Sequence, residues 1–428
     1  MLTHRQDVQA MLSDYKYLQF IVDMDREFRN DPSYRSRSQL KILEGAARGE
    51  RIIPFDDKYV VSSFFPPMPS PAFKTFLSGA ANTETMFSDL SQGRRSAPLS
   101  THVCITTRCQ YRCEHCGATT PDKCSELSRD QWKKVFADLQ DLGVAYFGIS
   151  GGEPLLRRDL EEIIRSIDDR STTLLFTNAR ALSPERAESL KESGLFYLAV
   201  SLDSPDEKEH NRFRRNPRAY EYALTGIENS SRAGLYTIVS AVVYKNLLTR
   251  DNLLQLFRTA GEHGAHEVRI HQPVPSGELS DTEEAEDIFY TPDDIKMLHD
   301  LQFEINELRL DLPKVSSFTF TEGPEKFGCG AGVMHSYISS TGELWPCDFV
   351  PASFGNVLEQ PVAELYQKMN CAARAPRTEC LARTAARQLQ GKNLPLVGDE
   401  AVELCANCNS GQLPRFFADL KSGDMHAA

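Results

Sequence analysis

Between residues 99 and 276 the chain alternates short apolar runs with amphipathic stretches, and this alternation restricts the fold more than any other feature. Strands read at 101–107, 146–150, 174–177, 197–202, 237–243 and 268–271, with helical patterns at 130–142, 159–168, 185–193, 219–233 and 252–262. A helix between consecutive strands carries the chain back to the starting edge, so the strands pair in parallel as βαβ units. Right-handed crossovers then place every strand-end loop on one face. Function concentrates on loops at the carboxyl ends of such strands, so the residues just after each run are the ones to read for chemistry.

The loop after the first run carries Cys109, Cys113 and Cys116 in Cys-x3-Cys-x2-Cys spacing. Three thiolates hold three irons of a 4Fe–4S cube and leave the fourth iron open, whereas such clusters ordinarily take four cysteines. Soft sulfur ligands suit iron or zinc. A zinc site would need a fourth ligand, and Cys104 and His115 are the neighbours. Cys104 falls inside the apolar run, where a free thiol is usually a small core residue. After the second run come Gly151, Gly152, Glu153 and Pro154, then an amphipathic stretch over 155–167. That is strand, glycine turn, helix. Two glycines let a ligand approach the backbone closely, and Glu153 is placed to hold a cationic amine.

Together the cysteine loop and the Gly-Gly-Glu turn resemble the radical S-adenosylmethionine (radical SAM) superfamily, over roughly residues 99–277. The resemblance implies an α/β fold built on a partial (β/α)6 TIM-like barrel, with the core at 97–277. It implies that Cys109, Cys113 and Cys116 bind the cluster, and that the open iron takes the amino and carboxylate groups of S-adenosylmethionine. Gly151, Gly152, Glu153 and Pro154 would form the turn that holds the methionine amine. Relatives often place an aromatic residue before the third cysteine; this chain has His115. Asn178, Ser201 and Asp203 at later strand ends, and Arg214 in a His210-x3-Arg214 stretch, are implied cofactor contacts.

Flanking regions add a frame. Residues 1–96 read as mostly helical (8–28 and near 39–48), with a strand-like stretch at 59–64 and a proline-rich segment from Phe64 to Pro71. A leader-peptide-binding module would lead with strands, and this region leads with helices. After a connecting region, 278–325, the tail over 326–428 has Cys329-x12-Gly342-x4-Cys347, a hairpin pattern, and later Cys405-x2-Cys408. Those four sulfurs also suit a structural zinc ribbon. The pattern resembles the auxiliary-cluster domains called SPASM and, shortened, twitch: a small cysteine-rich α+β domain. The resemblance implies one auxiliary 4Fe–4S cluster on Cys329, Cys347, Cys405 and Cys408, with Cys371 and Cys380 either spare or recruited to a second auxiliary cluster.

At 428 residues the chain buries one large core plus a smaller domain. The net charge of −12 argues against nonspecific binding to nucleic acid or anionic membrane. No apolar run approaches the roughly 18 residues of a membrane span, and the amino terminus lacks a secretory signal. Eleven cysteines in a cytoplasmic protein are expected to be metal ligands or buried thiols rather than disulfides.

The mechanism implied by the resemblance is reductive cleavage of S-adenosylmethionine to a 5′-deoxyadenosyl radical that takes hydrogen from a substrate C–H bond. A reductant such as flavodoxin or ferredoxin would supply the electron. A fully ligated auxiliary cluster suits electron transfer, which favours oxidative modification of a ribosomally made peptide or a small metabolite. Arg269 and His271, ending the last barrel strand, are candidates for holding a substrate carboxylate or accepting a proton. Two other readings remain: radical carbon–carbon bond formation on a lipid or isoprenoid, with 64–73 lining an apolar route, and a non-catalytic iron–sulfur or zinc scaffold.

Overall fold

The computed structural model describes residues 9–11, 13–28, 45–78, 93, 95–117, 125–280, 287–308, 311–408 and 411–422. A short antiparallel hairpin, β1 (Ile53–Phe55) with β2 (Lys58–Val60), precedes the main sheet. The six expected strands form as β3 (Ser100–Cys104), β4 (Tyr146–Ser150), β5 (Thr172–Thr177), β6 (Tyr197–Ser201), β7 (Tyr236–Val242) and β8 (Glu267–His271). They lie side by side in chain order, all parallel. A further parallel strand, β9 (Lys314–Ser317), extends the sheet beyond β8 from the region read as a connector. On the other edge, β10 (His335–Ile338) runs parallel to β3, and β11 (Leu344–Trp345) returns antiparallel to it. The tail hairpin is therefore hydrogen-bonded onto the barrel sheet, in a nine-stranded order β11-β10-β3-β4-β5-β6-β7-β8-β9.

Local chemistry explains most boundaries. The helix Arg129–Leu142 starts at a capping box between Ser128 and Gln131 and stops at Gly143, which is left-handed at φ 112°. Its buried face, including Trp132, Val135, Phe136 and Leu139, packs on the sheet, with Phe136 edge-on to Phe147. Each such side chain contributes about 1.5–3 kcal/mol on burial. Two expectations need correction. The first strand ends at Cys104, not 107: Ile105 still bonds Ser150, but the Thr106 and Arg108 carbonyls turn to accept from the glycine turn. The helix expected at 159–168 forms only over Leu160–Ile164. Arg157, just before it, is buried and donates to the Ile105 and Leu127 carbonyls and to Asp159, which holds the entry in a non-helical conformation.

The amino-terminal region closes the end of the barrel opposite the strand-end loops. Residues 61–65 lie across the first residues of the strands. The Ser63 carbonyl accepts from Tyr146 and Arg269, the Phe65 carbonyl from Tyr197, and the Val61 carbonyl from Lys314. Glu50 bridges Lys314 and Lys326, each at 2.7 Å and fully buried. The first expected helix appears at Tyr15–Phe28; most of the one near 39–48 lies outside the described residues, with 45–47 helical. The strand-like reading over 59–64 holds only to Val60, because the chain then turns under the barrel. No helix among the described residues is long and apolar enough to cross a membrane.

Candidate functional site

One cavity of about 1460 Å³ opens on the carboxyl-end face and reaches down to Ser63 and Phe64. Cys109, Cys113 and Cys116 line it, with Gly151, Gly152, Glu153, Asn178, Ser201 and Arg214 around them. Cys329, Cys347 and Cys380 line the same cavity from the tail.

The cysteine loop is fastened to the glycine turn by backbone. Gly152 donates to the Thr106 carbonyl at 2.7 Å, and Glu153 to the Arg108 carbonyl at 2.8 Å. A Cβ on Gly151 would stand 2.3 Å from the Thr106 oxygen, and one on Gly152 would stand 2.4 Å from the Arg108 oxygen. The glycines thus admit the cysteine loop itself. Gly277 does the same at the loop's far end, where Glu278 donates to the Cys116 carbonyl.

Glu153 is buried at the strand end. One of its oxygens accepts from the Leu155 amide and Thr177 hydroxyl, and the other from the Asn178 amide at 2.8 Å. Burial outweighs these donors and raises its carboxyl above the usual range. A carboxylate offers about four acceptor positions, so capacity remains for a cation. Asn178 also accepts from Gln110, tying the turn after β5 to the cysteine loop.

Asp203 and Pro154 stand apart from the cavity wall. Asp203 is fully buried behind the loop, where Arg214 grips both its oxygens at 2.6 and 2.8 Å and the Val242 amide donates a third bond. Burial alone would raise this carboxyl, but Arg214, His115 and His210 bring it well below the usual range. Arg214 also points a donor at the Cys113 sulfur, 3.8 Å away. Pro154 is buried as the first residue of a single 3₁₀ turn.

The donor set fits a cluster. Burial raises the Cys109 thiol to about 11 and raises Cys113 as well, so both are protonated thiols until a metal displaces the proton. The Tyr111 amide and Arg214 are aimed at their sulfurs. Beside them, Gln110 Oε1, Tyr111 Oη and His115 Nδ1 are buried without a hydrogen-bond partner. Burial lowers His115 to about 4, which keeps it neutral.

In the tail, the Cys380 thiol hydrogen-bonds to Cys329 and holds it low, while the same contact pushes Cys380 up. Cys380, expected to be spare or to join a second auxiliary cluster, lies far from Cys329 in the chain, and only folding brings the two together. Cys405 is buried on the helix Asp399–Asn407 and feels the charges of Cys408 and then Cys329; like Cys408 and the exposed Cys371, it stands outside the cavity wall. Arg377 braces this group, donating to the Ala331 and Cys405 carbonyls. The two cysteine groups meet through Phe349, whose ring covers Gly117; a Cβ there would be 2.7 Å from it.

Arg269 is 2 % exposed and is braced by Ser63 over the Phe64 ring, with its Nε 4.0 Å from the Glu267 carboxylate. His271 pairs with Ser240 and lies against Phe318; burial lowers it to about 3. Glu322, not singled out in the sequence, is exposed where it opens into the cavity.

Residues 103–260 match the Radical SAM superfamily, and residues 329–409 match SPASM, an iron–sulfur cluster-binding domain. The chain is 30% identical over 286 residues to an AdoMet-dependent heme synthase of Methanosarcina barkeri, covering 61% of this chain and 80% of that protein. It is 33% identical over 162 residues to a PqqA peptide cyclase of Bradyrhizobium diazoefficiens, covering 37% of this chain and 41% of that protein. Among solved structures, Streptococcus suis SuiB bound to precursor peptide SuiA aligns at TM-score 0.53 and 16% identity, over 66% of this chain and 67% of that one. anSMEcpe with bound AdoMet and a Cp18Cys peptide aligns at TM-score 0.51 and 16% identity, over 76% of this chain and 95% of that one. The two structural likenesses establish fold only. The chain belongs to the radical SAM superfamily, with a core domain that binds a 4Fe–4S cluster with S-adenosylmethionine and a SPASM domain that binds auxiliary iron–sulfur clusters.

Proposed function

We propose that this chain carries out oxidative modification of a peptide side chain or a small metabolite, as a radical SAM oxidoreductase or maturase. The observation that supports it is one cavity walled by both cysteine groups, with Phe349 packed between them. When bound, the cluster and S-adenosylmethionine supply a 5′-deoxyadenosyl radical that takes hydrogen from a substrate C–H bond.

The chain's own residues position and shield. Cys109, Cys113 and Cys116 hold the cluster, and Gly151, Gly152 and Glu153 form the cofactor turn, with Glu153 taking the methionine amine. Asn178 and Ser201 line the cofactor's flank. Asp203 acts through Arg214, which orients Cys113, and Pro154 shapes the turn from behind. Cys329, Cys347 and Cys405 hold the auxiliary cluster; Cys380, in contact with Cys329, is put forward as the further thiolate, with Cys408 beside Cys405 as the alternative. Of the two candidates only His271 offers a nitrogen lone pair, although burial makes it a weak base; Arg269 stays protonated and is spent on the cavity floor. A cytoplasmic electron donor of flavodoxin or ferredoxin type completes the reading. A tetrapyrrole substrate is the second reading, favoured by the match to 80% of a heme synthase.

The test is anaerobic reconstitution with iron and sulfide, then iron per chain and 5′-deoxyadenosine release with dithionite and S-adenosylmethionine. About eight irons are expected for two clusters, with release abolished by Cys113→Ala. Cys380→Ala should lose about four irons while still cleaving S-adenosylmethionine, and Cys371→Ala should lose none. Fully loaded protein that releases no 5′-deoxyadenosine, with or without candidate substrates, overturns the catalytic reading.

A further inference from the structure

Beside the auxiliary cysteines, three side chains outside both cysteine groups converge on one point of the cavity wall. His102, on β3, places Nδ1 2.9 Å from one oxygen of Asp348. His335, on β10, places Nε2 2.8 Å from the other. The liganding atoms of all three lie within 4.8 Å of one another, and each residue is half-buried and lines the cavity.

The three come from separate parts of the fold. His102 belongs to the barrel, His335 to the strand that pairs with it, and Asp348 to the loop after β11. Room for the His102 ring is made by Gly148, where a Cβ would stand 2.1 Å from the imidazole. The second nitrogen of His335 pairs with the Ser100 hydroxyl at 2.9 Å. A hydrogen bond on the far nitrogen is what fixes ring orientation and tautomer in metal-ligating histidines. When Nδ1 donates to Ser100, Nε2 turns a lone pair toward a carboxylate oxygen, and only a proton or a cation between them makes that contact favourable.

We infer that His102, His335 and Asp348 form a binding site for a divalent first-row transition ion, Fe(II) or Mn(II), separate from the two iron–sulfur sites. Two imidazoles and a carboxylate are the donor set these ions accept with positions left open. The open positions face the cavity and would take a carboxylate or other oxygen donor of the substrate. The inference does not depend on the radical chemistry proposed above, because metal binding is read without turnover.

The test uses full-length protein with its clusters loaded anaerobically. Mn(II) is the probe, since it prefers oxygen and nitrogen to thiolate. Titration followed by loss of the free-ion EPR signal should show one saturable site. His335→Gln and Asp348→Asn should each weaken it at least tenfold, with cluster absorbance confirming that the tail is intact. Pulsed EPR of Mn(II) bound to the unmodified protein should show nitrogen coupling from imidazole. No saturable binding, no nitrogen coupling, or unchanged affinity in either folded variant overturns the site and leaves the three residues as a strut between tail and barrel.

Discussion

Adding one methyl group to Gly152 tests how tightly the cofactor turn is built. Its φ is ordinary, so Gly152→Ala brings no backbone strain, only volume. The new Cβ would sit 2.4 Å from the Arg108 oxygen, 2.6 Å from its carbonyl carbon and 2.7 Å from the Thr107 oxygen. All three are backbone atoms, so no rotamer change relieves them. Restoring ordinary contact at 3.4 Å requires a shift of about 1 Å between turn and loop. The Glu153 to Arg108 hydrogen bond, now 2.8 Å, would open to about 3.8 Å and be lost. The Gly152 to Thr106 bond goes with it. Two such bonds are worth about 1–3 kcal/mol together, or roughly 5- to 150-fold in affinity. S-adenosylmethionine binding to the reduced, cluster-loaded protein, followed by EPR, should weaken by that factor while the auxiliary irons stay. Gly194→Ala is the control: it is left-handed at φ 98° but has nothing within 4 Å, so it should cost some stability and no affinity. Affinity within twofold of the parent for Gly152→Ala would refute the argument that the loop and turn share one rigid geometry.

Arg214→Met strands the buried Asp203 carboxylate, at a cost of about 3–5 kcal/mol near neutral pH. In the parent, Asp203 is held low, so its contribution is present above the unfolded carboxyl pKa and fades as pH falls through the folded value. In the variant burial instead raises that pKa, so the melting-temperature deficit should be larger at pH 8 than at pH 5; equal deficits would refute it. Glu50→Gln removes the bridge between buried Lys314 and Lys326 and should cost about 3–5 kcal/mol. Glu325→Gln, which breaks a half-exposed pair with Arg415, should cost under about 1 kcal/mol. Comparable losses in thermal melts would show that the amino-terminal floor is not anchored through Glu50.

Much of the architecture was legible because it follows from local periodicity. Apolar runs spaced by amphipathic stretches leave little choice but parallel pairing, and β3 to β8 pair in chain order as that pattern requires. Cys109, Cys113 and Cys116 lie within a single loop, so spacing alone brings them together. Gly151, Gly152 and Glu153 were legible for a different reason than the one that proves physical: the glycines make room for the cysteine loop's own carbonyls. Asp203 was read as a cofactor contact because it ends a strand, but a buried carboxylate needs a partner, and Arg214 takes both its oxygens.

The sequence by itself determined the order of β3 to β8, the cysteine loop and the turn beside it, since each depends on residues close together in the chain. Only the tertiary structure decided that Cys380 lies against Cys329, that residues 61–65 form the floor beneath Arg269, and that His102, His335 and Asp348 meet in one wall. The physical reason is chain separation. Those contacts join segments tens to hundreds of residues apart, and the loop-closure cost of bringing them together is offset by burial spread over the whole core, which no local pattern of residues records.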